Sequence, residues 1–189
     1  GRSIGEALRK RADKPATEQL FSFDMLGEGA RTADAAERYW ELYGDAIDAV
    51  GRACAGQPAD PAQRSSVSIK LSALHPRYET AQRERVLAQL LPRVRSLALR
   101  AAGHGIQLTI DAEEADRLEL SLELIEALAR DLKLSGWNGL GLALQAYQKR
   151  APVLVDWLAA LARQTNRVIP VRLVKGAYWD TEIKHAQVM

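Results

Sequence analysis

The chain has 189 residues, 47% hydrophobic and 26% charged, with a net charge of only +2. That is the balance of a globular domain with room for a sizeable core, and it gives no electrostatic ground for nucleic acid as a main partner. A single cysteine, Cys54, excludes an intrachain disulfide and fits a reducing compartment, and no apolar run is long enough to span a membrane.

The opening "GRSIGEALRKRADKP" reads as helix and linker, without the apolar core of a secretory signal. The first strand is expected at "LFSFDML" (20–26), followed by a helix for which Asp34 and Glu37 resemble a capping pair. "CAGQPADPAQRSS" (54–66) reads as a mobile loop, and a second strand follows at "SVSIKLS" (66–72). Val86, Leu90, Val94, Leu97 and Ala101 keep a helical spacing, with Pro92 inside it expected to kink the helix. A third strand, "IQLTIDA" (106–112), precedes a helix marked by Leu118, Leu122, Ile125, Leu128 and Leu132. The fourth, "LGLALQA" (140–146), precedes Leu154, Trp157, Leu158 and Leu161, with Pro152 suited to that helix's first turn. The fifth, "IPVRLVK" (169–175), starts beside Pro170, and "TEIKHAQVM" runs on as helix without a stop signal. Both ends fall inside helices, so a piece of a longer protein is expected.

Short apolar strands alternating with helices fit a parallel α/β fold, either a (βα)8 barrel or a doubly wound sheet. "DMLGEGA" lacks the G-x-G-x-x-G fingerprint and no Walker sequence occurs. The expectation is therefore a TIM-type barrel of about five βα units, left incomplete, over residues 20–189, with residues 1–19 as an N-terminal helical or linker segment.

Each strand carries a polar residue toward its C-terminal end: Asp24, Lys70, Asp111, Gln145, then Arg172 and Lys175. Barrel enzymes build their sites at that face. Arg172 is placed to meet a ligand or Asp111 in the mouth; Lys175, an odd number of positions on, should point to the other side of the pleat. Each residue has a plainer reading. Lys70 suits a structural pair with Asp24 or Asp111, Asp111 suits a helix cap, and Gln145 suits backbone groups of the core. Asp111, Glu113, Glu114 and Asp116 read as a helix start favouring negative charge rather than a metal site. His75, His104 and His185 have no ligand spacing. Tyr178 and Trp179 either stack on a planar ring or cap the core. The residues leave three classes open: Schiff-base chemistry on Lys70 or Lys175, a bound flavin tuned by cations and an amide, or a barrel segment with a purely structural role.

The stretches "FSFDMLGEGA", "SIKLSALHPRY", "LTIDAEEADRLELSLELIEAL", "GWNGLGLALQAYQKR" and "VRLVKGAYWDTEIK" closely resemble the proline dehydrogenase domain of bacterial bifunctional proline-utilisation flavoenzymes, from about Leu20 onward. The resemblance implies an FAD-bound barrel that oxidises L-proline to Δ1-pyrroline-5-carboxylate. A hydride passes from proline C5 to flavin N5, and electrons go on to a membrane quinone. It further implies a cytoplasmic protein, peripheral on the inner face of the bacterial membrane. An NAD-dependent aldehyde dehydrogenase domain is implied elsewhere in the longer chain. Residue by residue, Lys70 resembles the lysine that binds the proline carboxylate, Asp24 the aspartate pairing with active-site cations, and Tyr178 a substrate-pocket residue. Asp111 and Ala112 resemble positions beside the isoalloxazine, Gln145 a pyrimidine contact, and Arg172 the arginine near N5. Val174, Gly176, Ala177 and Trp179 resemble further FAD contacts. An Arg-Arg pair that the family carries in its last barrel helix has no counterpart in these residues, so half a site, with weak or no FAD binding on its own, is expected.

Overall fold

The computed structural model describes residues 3–12, 20–25 and 29–188. Among them, five parallel strands form one sheet in chain order: β1 (Ser22–Asp24), β2 (Ser66–Ile69), β3 (Leu108–Ile110), β4 (Leu140–Gln145) and β5 (Val171–Val174). A doubly wound sheet would reverse its strand order; this one does not. It also curls. In a flat sheet β1 and β5 would lie about 19 Å apart, yet Arg172 of β5 reaches the Ser22 hydroxyl of β1 at 3.4 Å. The result is a half-barrel with helices on its convex side.

The helices of the described residues are α1 (Ile4–Ala12), α2 (Ala33–Ala53), the single turn α3 (Leu71–Leu74), α4 (Arg83–His104), α5 (Leu118–Ala129), α6 (Ala151–Thr165) and α7 (Trp179–Val188), of which α2, α4, α5 and α6 share the core with the sheet. Alternation along the strands explains the layering. Val67, Ile69, Leu108, Ile110, Leu140, Leu142 and Leu144 join the main core with Ile47 and Val50 of α2, Leu90 and Leu97 of α4, and Leu124 and Leu128 of α5. The alternate positions face the concave side and are small or polar: Ser22, Ser68, Thr109, Gly141, Ala143.

Several boundaries differ from expectation for identifiable reasons. β2 ends at Ile69, not at 72, because the buried Tyr43 hydroxyl takes the Lys70 amide (3.1 Å) and the chain turns into α3. β5 begins at Val171, since Pro170 has no N–H for the ladder, although its carbonyl still accepts from Leu142 N (3.1 Å). Leu26 lies outside the described residues. The cap of α2 is Thr32, whose hydroxyl accepts from Ala35 N at 3.1 Å, rather than the Asp34–Glu37 pair. α5 stops at Ala129, leaving Leu132 exposed. α4 runs on past Pro92 and closes on Gly105 in the left-handed region (φ 62°). The 54–66 loop contains a 3-10 turn, Pro61–Gln63, and is tied down by Arg64, which donates to the carbonyls of Gln57, Pro58 and His104.

Candidate active site

The C-terminal ends of the strands surround a cavity of about 290 Å³ open to solvent. Asp24, Lys70, Asp111, Ala112, Gln145, Arg172, Val174, Gly176, Ala177 and Tyr178 all line it, so the structure gathers every residue singled out from sequence except Trp179. Trp179 opens α7 at 60% exposure, beside the Tyr147 ring with centroids 5.8 Å apart. At that exposure it does not cap the core.

Asp111 is the hub. One carboxylate oxygen accepts from Lys70 Nζ at 2.8 Å and the other from Arg172 Nη2. Lys70 Nζ also donates to both oxygens of Asp24, at 3.1 and 2.9 Å. The three bonds match the ammonium's three N–H groups. The structure thus sets aside the reading of Asp111 as a helix cap: the turn that follows starts at Ala115 and has no side-chain cap. Lys70 and Arg172, cations from two different strands, are tolerated at this cavity because Asp24 and Asp111 meet them. Burial alone would lower the Lys70 pKa, but its hydrogen bonds to Asp111 and Asp24 outweigh burial and push it above the usual lysine range. An amine whose proton is held by two carboxylates is a poor Schiff-base nucleophile. Lys175 is exposed at the cavity rim, and its carbonyl accepts from Tyr147 N (3.0 Å).

Gln145 is a tie between loops. Its Nε2 donates to the Glu113 carbonyl and its Oε1 accepts from Ala177 N, both at 2.9 Å. One N–H and one lone pair of the amide are left over for a ligand. Gly176 sits at φ 151°, and a Cβ there would lie 2.1 Å from the Tyr147 ring. The glycine is thus required by a protein neighbour, a reason separate from the FAD contact that the resemblance implies for it.

Three participants, Ser68, Ser22 and Tyr43, carried no sequence signal strong enough to be singled out, and a fourth, Glu113, read only as part of a helix start. Ser68 and Ser22 accept from Arg172 Nη1, at 2.7 and 3.4 Å. Tyr43 holds the Lys70 amide. Glu113 accepts from Ser72 N (3.0 Å) and pairs with Arg117 (3.2 Å), and burial raises its pKa. Ser68 was within reach of the period-two rule, lying two residues before Lys70 on the same face. Among the described residues no three His, Cys, Asp or Glu side chains gather into a metal set, and no helix is long and apolar enough to cross a membrane.

A singly wound parallel sheet with a charged cavity at its strand ends defines an α/β-barrel enzyme scaffold. Within that class, the chain belongs to the proline dehydrogenase family, whose profile matches residues 7–189. It is 50% identical over 188 residues to the bifunctional protein PutA of Salmonella typhimurium, covering all of this chain and 14% of that protein. A crystal structure of Bradyrhizobium japonicum proline utilization A, mutant D779Y, superposes with TM-score 0.88 at 54% identity, over all of this chain and 19% of that one. Proline utilization A from Bdellovibrio bacteriovorus, inactivated by N-propargylglycine, gives TM-score 0.89 at 26% identity over 20% of its chain. The chain therefore spans about a seventh of the curated relative it matches.

Proposed function

We propose that this chain supplies the proline-facing and flavin-facing half of an FAD-dependent proline dehydrogenase, within a larger bifunctional protein. The observation that carries the reading is the convergence of Lys70, Asp111, Arg172 and Gln145 on one cavity. The donor set fits a flavin: a guanidinium, an ammonium and a half-free amide face a space walled by small residues, Ala112, Val174 and Ala177. When bound, the flavin supplies the acceptor for the hydride that leaves the carbon next to the proline nitrogen, giving Δ1-pyrroline-5-carboxylate.

The chain's own residues do the rest. Lys70, held protonated, is the partner for the substrate carboxylate, with Tyr178 lining the same cavity. Asp24 and Asp111 fix the ammonium's position. Arg172 would hold the flavin and supply positive charge to stabilise its reduced ring, with Gln145, Asp111, Ala112, Val174, Gly176, Ala177 and Trp179 as the other residues that would hold it. The exposed Trp179 ring is available for stacking. The rest of the site, including arginines for the substrate carboxylate, is assigned to sequence beyond these residues, as is an NAD-dependent aldehyde dehydrogenase segment. Electrons pass to a membrane quinone, with the protein peripheral on the inner membrane face.

The test is a visible spectrum of the full-length protein before and after anaerobic L-proline. Flavin bands that bleach are expected. A protein that stays colourless after reconstitution with FAD would refute the assignment. Borohydride trapping of a substrate on Lys70 or Lys175 would restore Schiff-base chemistry.

A further inference from the structure

We infer that Ser68, assisted by Ser22, is a positioning residue that locks the Arg172 guanidinium across the floor of the site; the consequence for catalysis rests on the flavin reading above. Arg172 leaves β5 and crosses the concave face of the sheet to reach β2 and β1. A side chain with that much rotamer freedom needs more than one anchor to hold its plane. Asp111 supplies the first, on Nη2. Ser68 supplies the second, on Nη1 at 2.7 Å, from a position with 0% exposure.

The hydroxyl directions follow from donor counting. A guanidinium donates and cannot accept, so both serines are acceptors toward Arg172. The two hydroxyl oxygens lie 3.2 Å apart, so one hydroxyl proton spans the pair and orients both lone pairs toward the cation. Register supports this division of work. Ser68 pairs with Asp24 on one side and Thr109 on the other, while Arg172 pairs with Ala143. The concave face between them carries Thr109, Gly141 and Ala143, residues too small to obstruct the crossing. With Ser68 gone, only Asp111 and the long 3.4 Å contact to Ser22 would hold the guanidinium, and it would pivot about Asp111.

The experiment uses the full-length, flavin-loaded protein, comparing wild type with Ser68→Ala, Ser22→Ala and Arg172→Met. The flavin midpoint potential is read by spectroelectrochemistry, with flavin content and the rate of reduction by L-proline alongside. Ser68→Ala should retain flavin, move the potential in the same direction as Arg172→Met by a smaller amount, and slow reduction by roughly ten- to hundredfold, as loss of one hydrogen bond to a charged group implies. Ser68→Thr, which keeps the hydroxyl, should restore the potential. An unchanged potential in Ser68→Ala, while Arg172→Met shifts it, overturns the inference and leaves the proposed function standing. If Ser68→Ala fails to fold, Ser22→Ala decides from the exposed end of the pair: a shifted potential supports the lock and an unchanged one overturns it. A protein that takes up no flavin refutes both readings.

Discussion

Removing the hydroxyl of Tyr43 tests how the fold positions the site. Tyr43 is fully buried on α2, and its oxygen accepts the Lys70 backbone N–H at 3.1 Å where β2 ends. Tyr43→Phe keeps the ring and leaves that donor without its partner. A neutral hydrogen bond contributes a net ~1 kcal/mol, but a buried donor left unsatisfied costs about 1–3 kcal/mol. The ring's packing is unchanged, so no cavity term of consequence adds to this. The expected loss is about 2 kcal/mol, which for a urea slope near 2 kcal/mol/M moves the unfolding midpoint by roughly 1 M. Hydrogen exchange at the Lys70 amide should accelerate by about tenfold or more, since it reports the same bond. A midpoint within about 0.2 M of wild type, with the Lys70 amide still protected, would show that water or another group satisfies the donor and that Tyr43 does not set the end of β2.

Lys70→Ala should raise the KM for L-proline more than it lowers FAD content; the reverse pattern would make Lys70 a folding residue. Gly176→Ala should disturb the loop before α7, because the new Cβ meets the Tyr147 ring, and a Tyr147→Ala partner change should relieve part of the loss. Equal flavin retention in Gly176→Ala and wild type would remove the steric argument. The Arg100 hydrogen bond, then His104, holds the Asp48 carboxyl at a pKa of about 2, below its ordinary 3.8. A depressed carboxylate contributes stability above the unfolded value and loses it as pH falls from about 4 to about 2. Asp48→Asn should therefore flatten the stability profile in that window, measured by urea unfolding; an identical acid slope in both proteins would contradict the assignment.

The barrel half was legible because five apolar runs ending in polar residues fix both strand identity and the face on which the site forms. Asp24, Lys70, Asp111, Gln145 and Arg172 were found that way, and the cavity holds all five. The strand ends were not legible. Lys70 belongs to β2 by pattern, yet a tyrosine 27 positions earlier takes its amide out of the ladder. Nor was the reason for Gly176, which is a ring 29 residues upstream in the chain rather than anything local. Ser68 was not singled out because its partner sits 104 positions away, on a strand that is not its neighbour. Curvature brings them together, and local sequence does not display curvature.

The Lys70 ammonium has no idle donor: its three N–H groups already face Asp24 and Asp111. If Lys70 binds the substrate carboxylate as proposed, an incoming carboxylate reaches it by exchange. Asp24, 42% exposed, is the partner able to swing away, whereas Asp111, at 9%, is held by Arg172 as well. One anion leaves the ammonium as another arrives, so the count of charges around Lys70 stays constant through binding. Affinity for an amino acid at this centre is then the difference between two similar ion pairs. It should respond little to ionic strength, and a free monocarboxylate should compete for the same place.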